Sequence, residues 1–406
     1  MEIGPVTTVL GIAVLAAATA RARGFEEDVA FLRKHVDVVL LEDARTGARV
    51  AVVPAWQGRV MTSAGGGKAA RGYGWINEEL VASGKLGPHI NAFGGEDRLW
   101  LGPEGGQFSI FFRKGDPFDL AHWQTPPIID TEPWAVASKD ARRVSFRHRG
   151  RLVNHSGTAL DVQIDRTVRL LDREAAATQL GGPLPDGVRL VAFASENTLT
   201  NAGEAPWTRS GGLLSLWILG MFEPSAKTTV VVPFREGPEA ERGPVVNDAY
   251  FGKVPPDRLV VGKGVLFFSG DGRHRSKIGL SPRRTRPVLG SYDAERSVLT
   301  VVTFDLPEGA TEYVNSMWEI QEDPFAGDVV NSYNDGPPAP GAKPMGPFYE
   351  LETSSPAAAL APGASLTHVH RTFHLEGEAA DLDAVARRVL GVPLERIRTA
   401  LPSPAR

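Results

Sequence analysis

From residue 36 onward the chain consists of apolar runs of strand length, cut at short intervals by glycine, proline, asparagine and aspartate. Eleven such runs precede residue 378: VDVVLLED, ARVAVVP, FSIFFRK, RVSFRHRG, VQIDRTVRLLD, VRLVAFASENTLT, KTTVVVPF, RLVVGKGVLFFSG, SVLTVVTFDL, FYELETSS and SLTHVHRTFHLEG. β-Branched and aromatic side chains dominate them, which pack well on a pleated surface and lose rotamer freedom in a helix. Short β-branched runs bounded by turn residues read as antiparallel strands. No fixed period relates them, so a sandwich is expected rather than a propeller or solenoid. The 44 Gly and 31 Pro, about 18% of the chain against roughly 12% ordinarily, supply the turns that so many strands require.

The two ends read differently. Residues 6–20 form an uncharged run closing on small residues, shorter than a spanning helix and of the length of a secretory signal core. Glu2 and the lack of an early Lys or Arg are unlike such a signal, so residues 1–23 are read as a signal segment or an exposed N-terminal helix. The expectation is a periplasmic or secreted protein, with a cytoplasmic one as the alternative, and no stable membrane span. Residues 25–35 carry apolar groups at helical spacing, with acids early and bases late as the helix dipole prefers. A single β-rich body over residues 24–377 follows, then a tail over 378–406 in which DLDAVARRVLG and LERIRTAL have helical spacing.

Composition removes several functions. Lys plus Arg number 44 against 48 Asp plus Glu, without a basic block, so no nucleic-acid partner is expected. Zero cysteines remove disulfides, thiolate nucleophiles, zinc–thiolate sites and iron–sulfur clusters. No nucleophile elbow, Walker loop or Rossmann spacing occurs.

Three clusters carry the chemistry. Residues 75–107 gather His89, Asn91, Glu96, Asp97, Arg98, Trp100, Glu104 and Gln107 among paired glycines. Glycines let a backbone approach a ligand closely, and a tryptophan beside carboxylates and an arginine suits a sugar ring and its hydroxyls. The alternative is a glycine-rich loop whose Glu and Arg pair with each other. Residues 315–338 gather Trp318, Glu319, Asn331, Tyr333, Asn334 and Asp335. Asp328, Asn331, Asn334 and Asp335 are oxygen ligands of the calcium type, but their spacing matches no EF-hand loop and Asx turns explain them, so no metal is assigned. In residues 348–375, Glu350 and Glu352 stand two apart on one strand face.

This last stretch carries a family resemblance. Leu351-Glu352-Thr353, then Pro356-Ala357 and the turn Leu360-Ala361-Pro362-Gly363 into a final strand, resembles the C-terminal signature of the galactose mutarotase (aldose 1-epimerase) superfamily. Gly94-Gly95 through Leu101-Gly102-Pro103, and Asn197-Thr198-Leu199-Thr200-Asn201-Ala202-Gly203, are similar to segments of its hexose-phosphate epimerase branch. The resemblance extends as architecture over about residues 38–375 and is closest to a bacterial branch of the superfamily. It implies a β-supersandwich with a sugar site on its concave sheet and makes Glu352 the catalytic base. One departure stands out: where the family has a histidine acid, this chain reads WTRSGGLLSLWILG, with Trp217 near that position and no histidine between His155 and His274. His89 is the replacement acid and Arg98 steadies the oxyanion, since an imidazole titrates near neutrality.

The remaining histidines have plainer readings. His368, His370 and His374 alternate on one strand face, as a metal comb or, preferably, as the solvent-facing polar side of a terminal strand. His122 and His155 read as loop residues. The expected protein is thus an all-β supersandwich with short terminal helices that acts on a carbohydrate as an epimerase-like enzyme without cofactor. A polysaccharide lyase, a glycoside hydrolase using a second carboxylate such as Glu96 or Glu319, and a non-catalytic glycan-binding protein are the alternatives. Oligomeric state is open.

Overall fold

The computed structural model describes residues 24–67 and 70–402; the reading of residues 1–23 lies outside them. The described chain forms three antiparallel sheets of three, ten and five strands, with a few short helices. Among these residues no helix is long and apolar enough to cross a membrane.

The ten-stranded sheet is the scaffold. Its central strand Ser365–Glu376 pairs with Val298–Phe304 on one side and Arg189–Asn201 on the other. Next to these, Ala159–Leu170 shows strict alternation, with Leu160, Val162, Ile164, Val168 and Leu170 buried in one row. A period of two is what one covered face demands. Arg166 is the exception in that row: fully buried, it donates to Asp97 Oδ1 at 2.6 Å, Asn197 Oδ1 at 2.7 Å and the Gly58 carbonyl at 3.1 Å. A guanidinium survives in an apolar row only when its donors and its charge are met in this way.

The tail helices Ala379–Val389 and Leu394–Thr399 cover the far face of this sheet. Leu382, Val385, Leu390 and Ile397 are buried there against Val231, Phe267, Leu299 and Phe373. The opposite face meets the five-stranded sheet, whose order is Ser276–Leu280, Val330–Asn334, Tyr349–Ser354, Ser215–Phe222, Arg98–Gly102.

Two sequence expectations are corrected here. The last strand in sequence is not at an edge in space, so His368, His370 and His374 face the buried interface between sheets rather than solvent. Thr353 Oγ1 lies 2.8 Å from His368 Nε2 and 2.9 Å from His370 Nδ1, while His374 lies 2.9 Å from both Glu96 Oε2 and Thr300 Oγ1. Burial holds His368 down at about 3 and His370 at about 4, so both imidazoles are neutral. The run FSIFFRK, in turn, is not a strand. Ser109 Oγ bonds the Glu104 carbonyl and the Phe111 amide, which turns the backbone. Phe111 and Phe112 then pack on Trp123 and Trp318. Aromatic burial decides the outcome over strand propensity.

Candidate functional site

The outer face of the five-stranded sheet follows from its register. Residues directly opposite in antiparallel strands point the same way. One row therefore runs Arg98, Leu219, Glu352, Asn331, and the next runs Met221, Glu350, Tyr333, Lys277. A third contains Trp100, Trp217 and Ser354. The opposite face carries Leu351 and Thr353 into the sandwich. Glycine makes the sheet fit: a Cβ on Gly220 would lie 2.4 Å from the Glu96 carbonyl oxygen. Gly94, at φ +97°, takes a left-handed turn into the edge strand, and a Cβ there would lie 2.0 Å from the Trp75 carbonyl oxygen.

Loops from residues 84–97, 115–125, 243–258, 313–329 and 336–348 rise around this face and enclose a cleft of about 690 Å³. That is the size of a small-molecule site, roughly 300–1,000 Å³. Four of the chain's eight tryptophans line it. Trp217, Trp100, Trp123 and Trp318 follow one another at ring separations of 5.6, 6.4 and 5.9 Å and form a continuous aromatic wall.

Charge is concentrated at the floor. Lys277 Nζ lies 2.9 Å from Glu352 Oε2 and 4.8 Å from the Trp217 ring centroid. Burial alone would lower the Lys277 ammonium, but Glu352, Glu104 and Glu350 together raise it above its usual value, so it stays charged. Glu352 is fully buried, and its Oε2 also accepts from Trp217 Nε1 at 2.9 Å. Arg98 Nη2 donates to Glu350 Oε1 at 3.1 Å, and its guanidinium lies 4.2 Å over the Trp100 ring. Burial, helped by the negative charge of Glu352, pushes Glu350 up to about 8 despite Arg98 and Lys277. Burial also raises Glu104, whose Oε1 accepts from Trp318 Nε1 at 3.3 Å.

Beside the floor, Asp328 Oδ2 accepts from Tyr250 Oη at 2.7 Å and Asn247 Nδ2 at 3.0 Å, and burial raises its carboxyl. Several buried polar atoms at this site have no protein partner among the described residues: Glu352 Oε1, Arg98 Nε, Trp100 Nε1, Trp123 Nε1 and Ser215 Oγ. Buried polar groups are ordinarily paired, and these five are of a kind that hydroxyls or water could meet.

The fold brings together nine residues expected from sequence: His89, Arg98, Trp100, Glu104, Trp318, Glu319, Asn331, Tyr333 and Asp335 all line the cleft, with Glu352 in its floor. His89 is fixed by its Nδ1, 2.7 Å from the Trp123 carbonyl. Tyr333 donates to Asp335 Oδ1 at 2.9 Å.

Five others point elsewhere. Glu96 accepts from Ser63 Oγ at 2.7 Å and meets His374 inside the sandwich. Asp97 pairs with Arg166. Asn91 donates to Asp130 Oδ2 at 2.7 Å. Gln107 exchanges two bonds with the Gln321 backbone, at 2.9 and 3.0 Å. Asn334, on the inner face, clasps the Gly272 amide and the His274 carbonyl. These polar groups are tied to partners outside the cleft, a distinction that composition does not carry. Residues 75–107 do not pair Glu with Arg internally, since Glu96 and Asp97 find partners far along the chain. Sequence reading passed over Lys277 and Tyr250 as site groups, named Asp328 only as an oxygen of the calcium type, and treated Trp217 only as a departure. Glu350 had a signal, its two-residue spacing from Glu352.

Solved structures of low sequence identity are similar to this chain. Slr1438 protein from Synechocystis sp. PCC 6803 is 14% identical, with 84% of this chain and 96% of that chain covered and a TM-score of 0.50. A putative aldose 1-epimerase from Escherichia coli K12 is 11% identical, over 84% and 99%, with a TM-score of 0.44. A galactose mutarotase-like protein from Lactobacillus casei ATCC 334 is 10% identical, over 84% and 100%, with a TM-score of 0.46. Slr1438 protein supports a shared fold and nothing finer. Among curated proteins no sequence matches this chain. The sequence matches the family of unknown function DUF6786 over residues 23–401, and the chain belongs to that family.

Proposed function

We propose that the cleft binds a sugar ring and that the protein is an acid–base enzyme of the epimerase type acting at its anomeric centre, with Glu352 as base and Glu350 as acid. One observation carries this reading: two carboxyl groups on alternate positions of one strand share the face beneath a tryptophan-walled cleft and have different partners, Arg98 for Glu350 and Lys277 for Glu352. Glu350 is raised to about 8 and is protonated at neutral pH, whereas Glu352 is ion-paired with Lys277 and keeps Oε1 unpaired. A carboxyl group that burial keeps protonated, next to one paired with an ammonium and holding a free oxygen, is what acid–base work at one centre requires.

Glu352 Oε1 takes the proton of the anomeric hydroxyl while Glu350 protonates the ring oxygen. The bond from the anomeric carbon to the ring oxygen breaks, giving the open aldehyde, and return of the two protons on reclosure gives either anomer. Lys277 and Arg98 offset the charge that develops on oxygen. His89 stays in the wall as a positioning group, because Glu350 adjoins the base and already holds its proton at pH 7.

The test is NMR exchange between the anomers of free hexoses with Glu352→Gln. Exchange should fall by about 10²- to 10⁴-fold with binding kept. Unchanged exchange in Glu352→Gln removes Glu352 as base, and no acceleration by the unaltered protein with any hexose removes the enzyme.

A further inference from the structure

The cleft is polar at its floor and apolar at its mouth, and the mouth is exposed. Eight large apolar side chains among the described residues are open to solvent, and three of them, Leu120 at 64%, Phe251 at 45% and Met345 at 44%, line this one cleft. Two more of the eight stand within three residues of a lining group: Leu86 near His89 and Ile320 beside Glu319. Single exposed apolar residues scattered over a surface need no explanation, but their concentration around one opening does.

Their chemistry is also specific. A tryptophan face suits the C–H side of a sugar ring, and such faces lie deeper, in Trp100, Trp217 and Trp318. Leucine and methionine at the rim give a further sugar unit no flat face and no hydrogen bond, and would strip water from its hydroxyls without return. Of the charged groups at the rim, Lys343 Nζ bonds Glu79 Oε2 at 2.9 Å and Arg275 lies 3.9 Å over the Phe251 ring, while Glu319 stands exposed.

Resting on the sugar reading above, we infer that the substrate is an acylated monosaccharide, with its anomeric end on the carboxylate floor and a medium-length aliphatic acyl group on the opposite end of the ring, lying across Leu120, Phe251 and Met345. The geometry sets this polarity, because the reacting groups stand on strands at the bottom and the aliphatic groups on loops at the top.

The experiment compares 6-O-octanoyl and 6-O-acetyl esters of the same hexose, for glucose, galactose and mannose, below the micelle concentration. Affinity is read by fluorescence of the cleft tryptophans and anomer exchange by NMR. A fully buried methylene multiplies affinity about fourfold, so burying two of the six extra methylenes gives the octanoyl ester an advantage of about tenfold or more. The double variant Leu120→Ser, Met345→Ser changes only exposed rim groups. It should cut that advantage to within about threefold.

Equal affinity for the two esters, or an advantage that survives in the double variant, overturns the acyl inference while leaving the sugar site in place. Methyl octanoate binding as tightly as the octanoyl sugar overturns the sugar reading itself. Octanoyl selectivity without any anomer exchange overturns the proposed reaction while the acylated ligand stands. No binding of any ester overturns both.

Discussion

Replacing Glu350 by Gln should make the protein more stable, by a margin that is absent below about pH 4.5 and largest at alkaline pH. The perturbation keeps shape and leaves Arg98 Nη2 an acceptor on the amide oxygen, as it now has on Glu350 Oε1 at 3.1 Å. Glu350 rises from the ordinary 4.5 to about 8, with burial the first cause and the Glu352 charge assisting. At 1.36 kcal/mol for each pKa unit, keeping that carboxylate ionised in the fold costs roughly 3–5 kcal/mol.

The sign follows from proton linkage. The folded state holds this proton more tightly than the unfolded chain does, so the contribution is fully present below about pH 4.5 and is lost as pH rises through 8. Urea denaturation of both proteins at several pH values should show equal stability near the acid end. Glu350→Gln should then lead by a gap that opens up to about pH 8 and stays constant beyond. A gap that is the same at every pH, or that favours the unaltered protein at alkaline pH, refutes a buried neutral Glu350. If Glu350 is the acid, anomer exchange should also fall as pH passes 8 and be lost in the Gln variant.

Other consequences are separable from this one. Arg166→Ala leaves the buried Asp97 charge without its partner and should cost about 3–5 kcal/mol in urea unfolding; a cost under about 1 kcal/mol would mean that the pair is dispensable. His368 and His370, held at about 3 and about 4, must stay neutral in the fold, so stability is full above pH 6.5 and falls as pH drops below it. For His370 alone the loss between pH 6.5 and 4 is on the order of 3 kcal/mol, opposite in sign to the Glu350 effect and read as a reduced acid slope in His370→Gln. Gly94→Ala combines a positive φ with a Cβ 2.0 Å from the Trp75 carbonyl oxygen. It should cost more than about 1 kcal/mol and lower sugar affinity, since the edge strand begins four residues later.

How far the sequence could be read depends on which sheet is considered. The ten-stranded sheet was largely legible, because one covered face imposes the two-residue period that Ala159–Leu170 displays. Of the five strands beneath the cleft, only Tyr349–Ser354 was recognised as a strand. Arg98–Gly102, Ser215–Phe222, Ser276–Leu280 and Val330–Asn334 are buried on both faces, one by apolar packing and the other by the cleft's own polar and aromatic groups. Alternation between solvent and core is therefore missing, and residues such as Asn331, Tyr333 and Lys277 read as loop. The polarity of Asn331 and Tyr333 was noticed as chemistry and missed as strand, and Lys277 was missed as both.

The same two-faced burial explains the division within each polar cluster. Glu352 and Thr353 are adjacent and point to opposite sides of one strand, the first to the cleft and the second to His368 and His370 in the sandwich. Likewise Tyr333 faces the cleft, whereas Asn334 faces inward and ties down the turn at Gly272. In a β-sheet, every second residue of a functional stretch supports the fold beneath the site. A polar cluster on such a sheet therefore contains site groups and buried structural groups in alternation, and only strand register separates them. Glu350 and Glu352 kept a readable signal because they occupy the same phase, two residues apart, so that any register placing one on the cleft face places both there.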